Sequence, residues 1–222
     1  MYRRVESTKF PNLVSLPTLG DGSCFLHAVV QGFYKPYQTS RFDDGTVLDK
    51  CALVRELRND LARMLAEPAK EEFQPVGGGE SSNGEESDNG ATKPAKVTWY
   101  SILSRGQLTN LSKELHNVDD FPDLTLSGFT KHLLGNAPLG QEIHEYLSKI
   151  LNIGIIIFTD GNIYSGGKEY DIYYKGKKYF VLVMNKANVH FETGGFIQQD
   201  GSVKTLFKND DAEVKDILDT LV

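Results

Sequence analysis

The chain has 222 residues, of which 40% are hydrophobic and 24% charged; this suits one domain with a real core and excludes wholesale disorder or a fibrous repeat. Its 24 Lys and Arg against 30 Asp and Glu leave a formal charge of -6, the wrong sign for a protein that grips phosphate backbones over its whole surface. The apolar runs are far shorter than the ~18 residues of a membrane span, and two cysteines, Cys24 and Cys51, are too few for a four-cysteine zinc site or a disulfide framework.

Residues 1–20 carry Arg3, Arg4, Glu6 and Lys9 without an uninterrupted apolar block. That is not the pattern of a cleaved secretory signal, and a cytoplasmic protein is expected. The segment Thr18-Leu-Gly-Asp-Gly-Ser-Cys-Phe-Leu-His-Ala-Val-Val follows, a glycine-flanked turn running into an apolar helix. Ser23 stands at the cap position and Cys24 in the first turn. A thiol there meets the positive end of the helix dipole and unpaired backbone N–H groups, which favour the thiolate. The same N–H groups can hold a developing oxyanion, and Gly20 and Gly22 let the loop approach an extended substrate closely. A helical cysteine without such a turn reads as a small buried hydrophobe, which is the reading for Cys51.

Further along, Leu53, Leu57, Leu61 and Met64, with Val54 and Leu65, predict a core-facing helix over residues 49–67, closed by Pro68. Residues 77–90 hold five glycines and four acids and nothing apolar. An acidic loop over about residues 75–96, inside a single domain spanning 1–222, is expected there. Ile143, Leu147, Ile150 and Leu151 predict an amphipathic helix over residues 140–151, and INIGIIIF after it reads as a buried strand. From there glycine and asparagine punctuate the strand-like runs EYDIYY, KYFVLVMN, NVHFETGGFI and QDGSVKTLF. A last helix from Asp210 carries Val214, Ile217, Leu218 and Leu221 on one face, with Asp210 or Asp211 as cap. The expected fold class is α+β, with a mostly antiparallel sheet flanked by helices.

A nucleophilic cysteine needs a base, and the sequence has five histidines. His116, His132 and His144 read as surface or helix-end residues without an evident orienting partner. His190 lies in a strand-like stretch, where Glu192, two residues on, shares its face about 6.5–7 Å away. A carboxylate so placed can fix the imidazole's tautomer and stabilise the imidazolium. His27, three residues after Cys24, is the competing base; it lacks a matching acid and otherwise reads as a helix-surface residue.

Asp21-Gly-Ser-Cys24-Phe-Leu-His-Ala near the front, with His190-Phe-Glu192 near the back, resembles the ovarian-tumour (OTU) family of papain-like cysteine peptidases, which are mostly deubiquitinases. The family pattern is Asp-Gly-x-Cys, then an aromatic or bulky residue and a small residue four after the cysteine, matched by Phe25 and Ala28. Its distal motif is His, an aromatic or bulky residue, then Asp, Asn or Glu. The stretch PLGQEIHEYLSKILNIGIIIF also resembles the family's helix and buried strand. Ser23 stands where Asn is commonest, and Glu192 where Asp or Asn is commoner.

The resemblance implies a papain-like OTU fold with Cys24 as nucleophile, His190 as base and Glu192 as orienting acid. It further implies backbone N–H groups of Asp21 and Cys24 at an oxyanion site, with Gly22 and Ser23 in the substrate-binding loop. Phe25 and Phe191 would line the narrow channel that admits a Gly-Gly tail. The implied activity is hydrolysis after the C-terminal glycine of ubiquitin, and no cofactor is implied. The implied partners are ubiquitin, polyubiquitin chains and ubiquitinated proteins, with ubiquitin-like modifiers as further substrates. An acidic surface suits a ubiquitin tail that carries arginines before its glycines. No membrane partner is expected, and a compact OTU-like domain with divergent flanks is compatible with a viral or bacterial effector acting in a host cytosol and equally with a cellular enzyme. The alternative is a catalytically silent OTU-like module that binds ubiquitin. A nucleic-acid surface around Tyr170, Tyr173, Tyr174, Lys175, Lys177 and Lys178 is the remaining reading, and the acidic total favours a solvated hairpin there.

Overall fold

The computed structural model describes residues 2–6, 9–68, 98, 125–135, 137, 139, 141–159, 162–163, 176–187 and 190–219. The acidic segment 75–96, His116, Tyr170, Tyr173, Tyr174, Lys175 and Leu221 lie outside the described residues. In chain order the elements are β1 (Arg3–Arg4), β2 (Leu13–Leu16), α1 (Cys24–Phe33), α2 (Lys35–Thr39), α3 (Lys50–Met64), α4 (Leu126–Leu134) and α5 (Gln141–Leu151). There follow β3 (Gly154–Thr159), β4 (Asn162–Ile163), β5 (Tyr179–Lys186), β6 (His190–Ile197), β7 (Val203–Lys204), β8 (Leu206–Lys208) and α6 (Ala212–Leu218). Among the described residues no helix is long and apolar enough to cross a membrane.

Contacts divide the chain into two units, Met1–Asn59 with Gly135–Val222, and Asp60–Leu134. In the second, Leu61 and Leu65 at the end of α3 and Phe129 and Leu133 on α4 are buried, and Pro68 bridges to Thr98.

The first unit is built on one sheet of order β1-β2-β6-β5-β3-β4, with β7 beside β6 and β8 beside β5. β3 and β5 run parallel and the other pairs antiparallel, so the fold class is α+β with a mostly antiparallel sheet, as the sequence predicts. The apolar run of β2 was not legible as a strand; it pairs with β6 from Leu13 opposite Phe196 to Leu16 opposite Thr193.

Strand alternation sorts the two faces. One buries Ile156, Phe158, Phe180, Leu182, Met184 and Phe196 in a cluster with Phe10 and with Val214 and Ile217 of α6, each worth about 1.5–3 kcal/mol of apolar burial. The other face carries Val181, Phe191 and Thr193 and receives α1. The Thr193 hydroxyl donates to the Ala28 carbonyl at 2.8 Å and the Thr205 hydroxyl to that of Gly32 at 2.8 Å. Gly32 permits this approach, because a Cβ there would stand 2.9 Å from Val181 Cγ1. The sheet therefore fixes α1, which Cys24 opens, against β6, which His190 opens.

Candidate active site

One loop and two aromatic side chains bring the Cys24 segment to the His190 segment. Cys24 is the first residue of α1 and is 8% exposed. The loop before it turns at Gly22, whose φ of +80° is one that L side chains rarely adopt. His190 opens β6, half-buried. A Cβ placed on Gly20 would lie 3.9 Å from Cε1 and 4.0 Å from Nδ1 of His190, so the loop passes that edge of the imidazole with room for one further carbon. One residue further along each segment, Phe25 and Phe191 meet edge to face at 5.3 Å between ring centroids.

The loop is held from inside by a hydrogen-bonded chain. Asp21 accepts the Ser23 backbone N–H on Oδ1 at 3.0 Å and faces His27 Nε2 with Oδ2 at 3.0 Å. His27 Nδ1 lies 2.6 Å from the Tyr37 hydroxyl. With a neutral ring, the Tyr37 O–H donates to Nδ1 and Nε2–H donates to the carboxylate, so each group has its partner. His27 is 0% exposed; it is neither a helix-surface residue nor without an acid, as the sequence suggests. With both ring nitrogens engaged it has no lone pair left to take a thiol proton. Partial burial pushes the Asp21 pKa up, but the bonds from His27 and from Ser23 N–H outweigh it and leave the group below its ordinary value. Burial, then the Asp21 charge, raises the Tyr37 phenol.

Ser23 takes the N-cap position, but its hydroxyl makes no cap bond. It accepts instead from Arg58 Nη1 at 2.9 Å, while Arg58 Nη2 donates to the Ala137 carbonyl at 3.2 Å. Arg58 is 3% exposed. Desolvation lowers its pKa and the Asp21 charge opposes that. The guanidinium therefore clamps the Gly22–Ser23 turn from below. Cys51 is exposed, contrary to the buried reading. Desolvation, with Asp21 and Asp49, pushes its thiol up.

Around His190 the expected third member is arranged differently. Glu192 is 3% exposed and shares the strand face of His190, but its Oε1 lies 3.4 Å from Arg3 Nη1 and its Oε2 3.9 Å from Lys186 Nζ. Among the described residues no hydrogen bond joins it to the imidazole. Among the described residues the side chain within hydrogen-bond distance of His190 is Thr18, whose Oγ1 is 3.4 Å from Nε2 and also donates to the Phe191 carbonyl.

Phe25 is 1% exposed, so its ring backs the site, while Phe191 is half-buried. Phe25 stacks on His144 at 3.7 Å, and His144 meets Phe191 edge-on at 5.4 Å. His144 is thus buried rather than on the surface, and burial lowers its pKa to about 3. Sequence reasoning missed Thr18, Tyr37, Arg58 and His144. Arg58 leaves one readable trace, since Val54, Arg58, Leu61 and Leu65 share a single helical stripe. His144 similarly stands between Ile143 and Leu147 on the apolar face of α5. Among the described residues no group of three His, Cys, Asp or Glu side chains could hold a metal ion.

No protein-family model matches the chain, and no curated protein matches it in sequence. Among solved structures, an OTU domain in complex with ubiquitin is 15% identical at a TM-score of 0.47, covering 99% of this chain and 88% of that one. The viral OTU domain protease from Farallon virus is 12% identical at a TM-score of 0.41, covering 90% and 98%. An OTU deubiquitinase from Wolbachia pipientis wMel is 15% identical at a TM-score of 0.40, covering 94% and 96%. At these identities the roles of individual residues are argued from the site alone.

Proposed function

We propose that the chain is a cysteine-type deubiquitinase of the OTU class that hydrolyses the bond after the C-terminal glycine of ubiquitin, or of a modifier with the same Gly-Gly end. The observation that carries this reading is that the glycine loop before Cys24 runs beside the Nδ1–Cε1 edge of His190. A helix-terminal thiol and a strand-borne imidazole beside the loop that leads into that helix are the parts that acyl transfer needs.

In the proposed reaction His190 takes the Cys24 proton, and the thiolate attacks the glycine carbonyl carbon. The resulting oxyanion is held by backbone N–H groups at the start of α1, with that of Cys24 among them. The Ser23 N–H is already committed to Asp21, so the Asp21 carboxylate shapes the oxyanion loop and is not a proton carrier. His190 returns its proton to the leaving amine, the C–N bond breaks, and a thioester remains on Cys24. Water, deprotonated by His190, then attacks the thioester and releases the ubiquitin carboxylate and the thiol. The buried Glu192 charge, on the His190 face of β6, favours the imidazolium through space. Gly22 and Ser23 line the approach of the tail, and Phe191 flanks it.

Release of a fluorogenic amine from the ubiquitin C-terminus tests the reading. The wild type is expected to turn over, while Cys24→Ala and His190→Ala fall by a factor on the order of 10³ or more. A folded wild type that binds ubiquitin and releases nothing would make the chain a binding module instead.

A further inference from the structure

We propose that Thr18, and not Glu192, orients the His190 imidazole and fixes its tautomer. This deepens the reading of His190 as the base and rests on it.

Local sequence puts Thr18 where it is. Leu16 is the last residue of β2 and pairs with Thr193 of β6. Pro17 follows, with its φ fixed by the ring, and holds the residue before it extended. The chain therefore continues beside β6 past the end of the ladder and brings Thr18 to Phe191 and His190. There the Thr18 hydroxyl donates its single hydrogen to the Phe191 carbonyl. What it turns toward His190 Nε2, 3.4 Å away, is a lone pair. That contact is attractive only when Nε2 carries hydrogen. In the neutral ring the base lone pair then belongs to Nδ1, on the edge that faces Gly20 and the loop into Cys24.

The same arrangement serves both protonation states. After Nδ1 has taken the thiol proton, Nε2–H still points at the Thr18 oxygen, so nothing reorients between proton uptake and return. The 3.4 Å separation is longer than the usual ~2.7–3.2 Å for N–H···O, as contacts of catalytic groups often are before substrate closes the site. Glu192 cannot take this role in the same conformation. Its carboxylate lies against Arg3 and Lys186, and its contribution to the imidazolium is charge at a distance. Thr18 touches the base and not the substrate, so it is a positioning residue.

The test reads the ring directly. Protein labelled with ¹⁵N-histidine is examined by ¹H–¹⁵N correlation at a pH where His190 is neutral, for the wild type, Thr18→Val, Thr18→Ser and Glu192→Gln. Val keeps the shape of Thr without the hydroxyl, and Ser keeps the hydroxyl. The expected result is an Nε2–H proton on His190 that is protected from solvent exchange in the wild type, Thr18→Ser and Glu192→Gln, and unprotected in Thr18→Val. On the fluorogenic ubiquitin substrate, kcat of Thr18→Val should fall by roughly 10- to 100-fold with KM unchanged, and Thr18→Ser should restore most of it. A protected Nε2–H in Thr18→Val, or its loss in Glu192→Gln with Thr18→Val unaffected, overturns the proposal. The spectrum needs no turnover, so a wild type inert toward ubiquitin would sink the deubiquitinase reading while the ring still decides the role of Thr18.

Discussion

Replacing His144 by Phe removes a titrating group while keeping a flat ring against Phe25. In the folded chain the imidazole is 7% exposed and stacked on Phe25 at 3.7 Å, and burial lowers its pKa from 6.5 to about 3. The unfolded chain binds a proton at this residue below pH ~6.5 and the folded chain does not until about pH 3. Stability is thus fully present above the unfolded value and is lost as pH falls through the window between the two, by about 1.4 kcal/mol per pH unit. At pH 5 the wild type should have lost about 2 kcal/mol through this group, and the Phe variant none of it. Urea denaturation of both proteins at pH 7, 6 and 5 measures the difference, which cancels the titration of every other residue. Because His144 also borders Phe191, the same acid loss should loosen the segments that carry Cys24 and His190. Parallel pH dependences for the two proteins would mean that the folded chain does not suppress protonation of His144.

Three further outcomes follow from the geometry. Arg58→Ala strips the Ser23 hydroxyl and the Ala137 carbonyl of their buried donor and should cost roughly 3 kcal/mol in urea denaturation; Arg58→Lys should recover little of it, since one ammonium cannot span both oxygens. Tyr37→Phe removes the donor to His27 Nδ1 and should cost about 1–2 kcal/mol by the same assay, an unchanged midpoint being the contrary result. Gly154→Ala would set a Cβ 2.2 Å from the Phe180 ring, and a loss of about 1–3 kcal/mol or more is expected in a thermal melt.

What could be read in advance was what depends on short-range pattern. The apolar stripe of α3 and the β-branched run of β3 emerged because periods of 3.6 and 2 are written in consecutive residues. The two motifs around Cys24 and His190 were visible for the same reason. Short elements such as β2 and α2 hold too few residues for a period to show. Polar residues depend on partners that no period in the sequence reveals. His27 reads as exposed until Tyr37 and Asp21 close on it, while Arg58 shows its place only by the apolar stripe it shares, not by Ser23 and Ala137, which it bonds. Alternation put Glu192 on the right face of β6, yet could not foresee Arg3, 189 residues away, beside its carboxylate. Thr18 gave no signal, because a threonine acquires its meaning only from the end of β2 lying along β6.

The proposed reaction depends first on Cys24 being a nucleophile aimed at the ubiquitin C-terminus. Intact mass after mixing the protein with ubiquitin bearing a C-terminal electrophile tests it most directly, with Cys24→Ala and Cys51→Ala alongside. One ubiquitin adduct is expected on the wild type and on Cys51→Ala, and none on Cys24→Ala. A folded wild type that stays unmodified, or an adduct that survives Cys24→Ala and vanishes with Cys51→Ala, would contradict it.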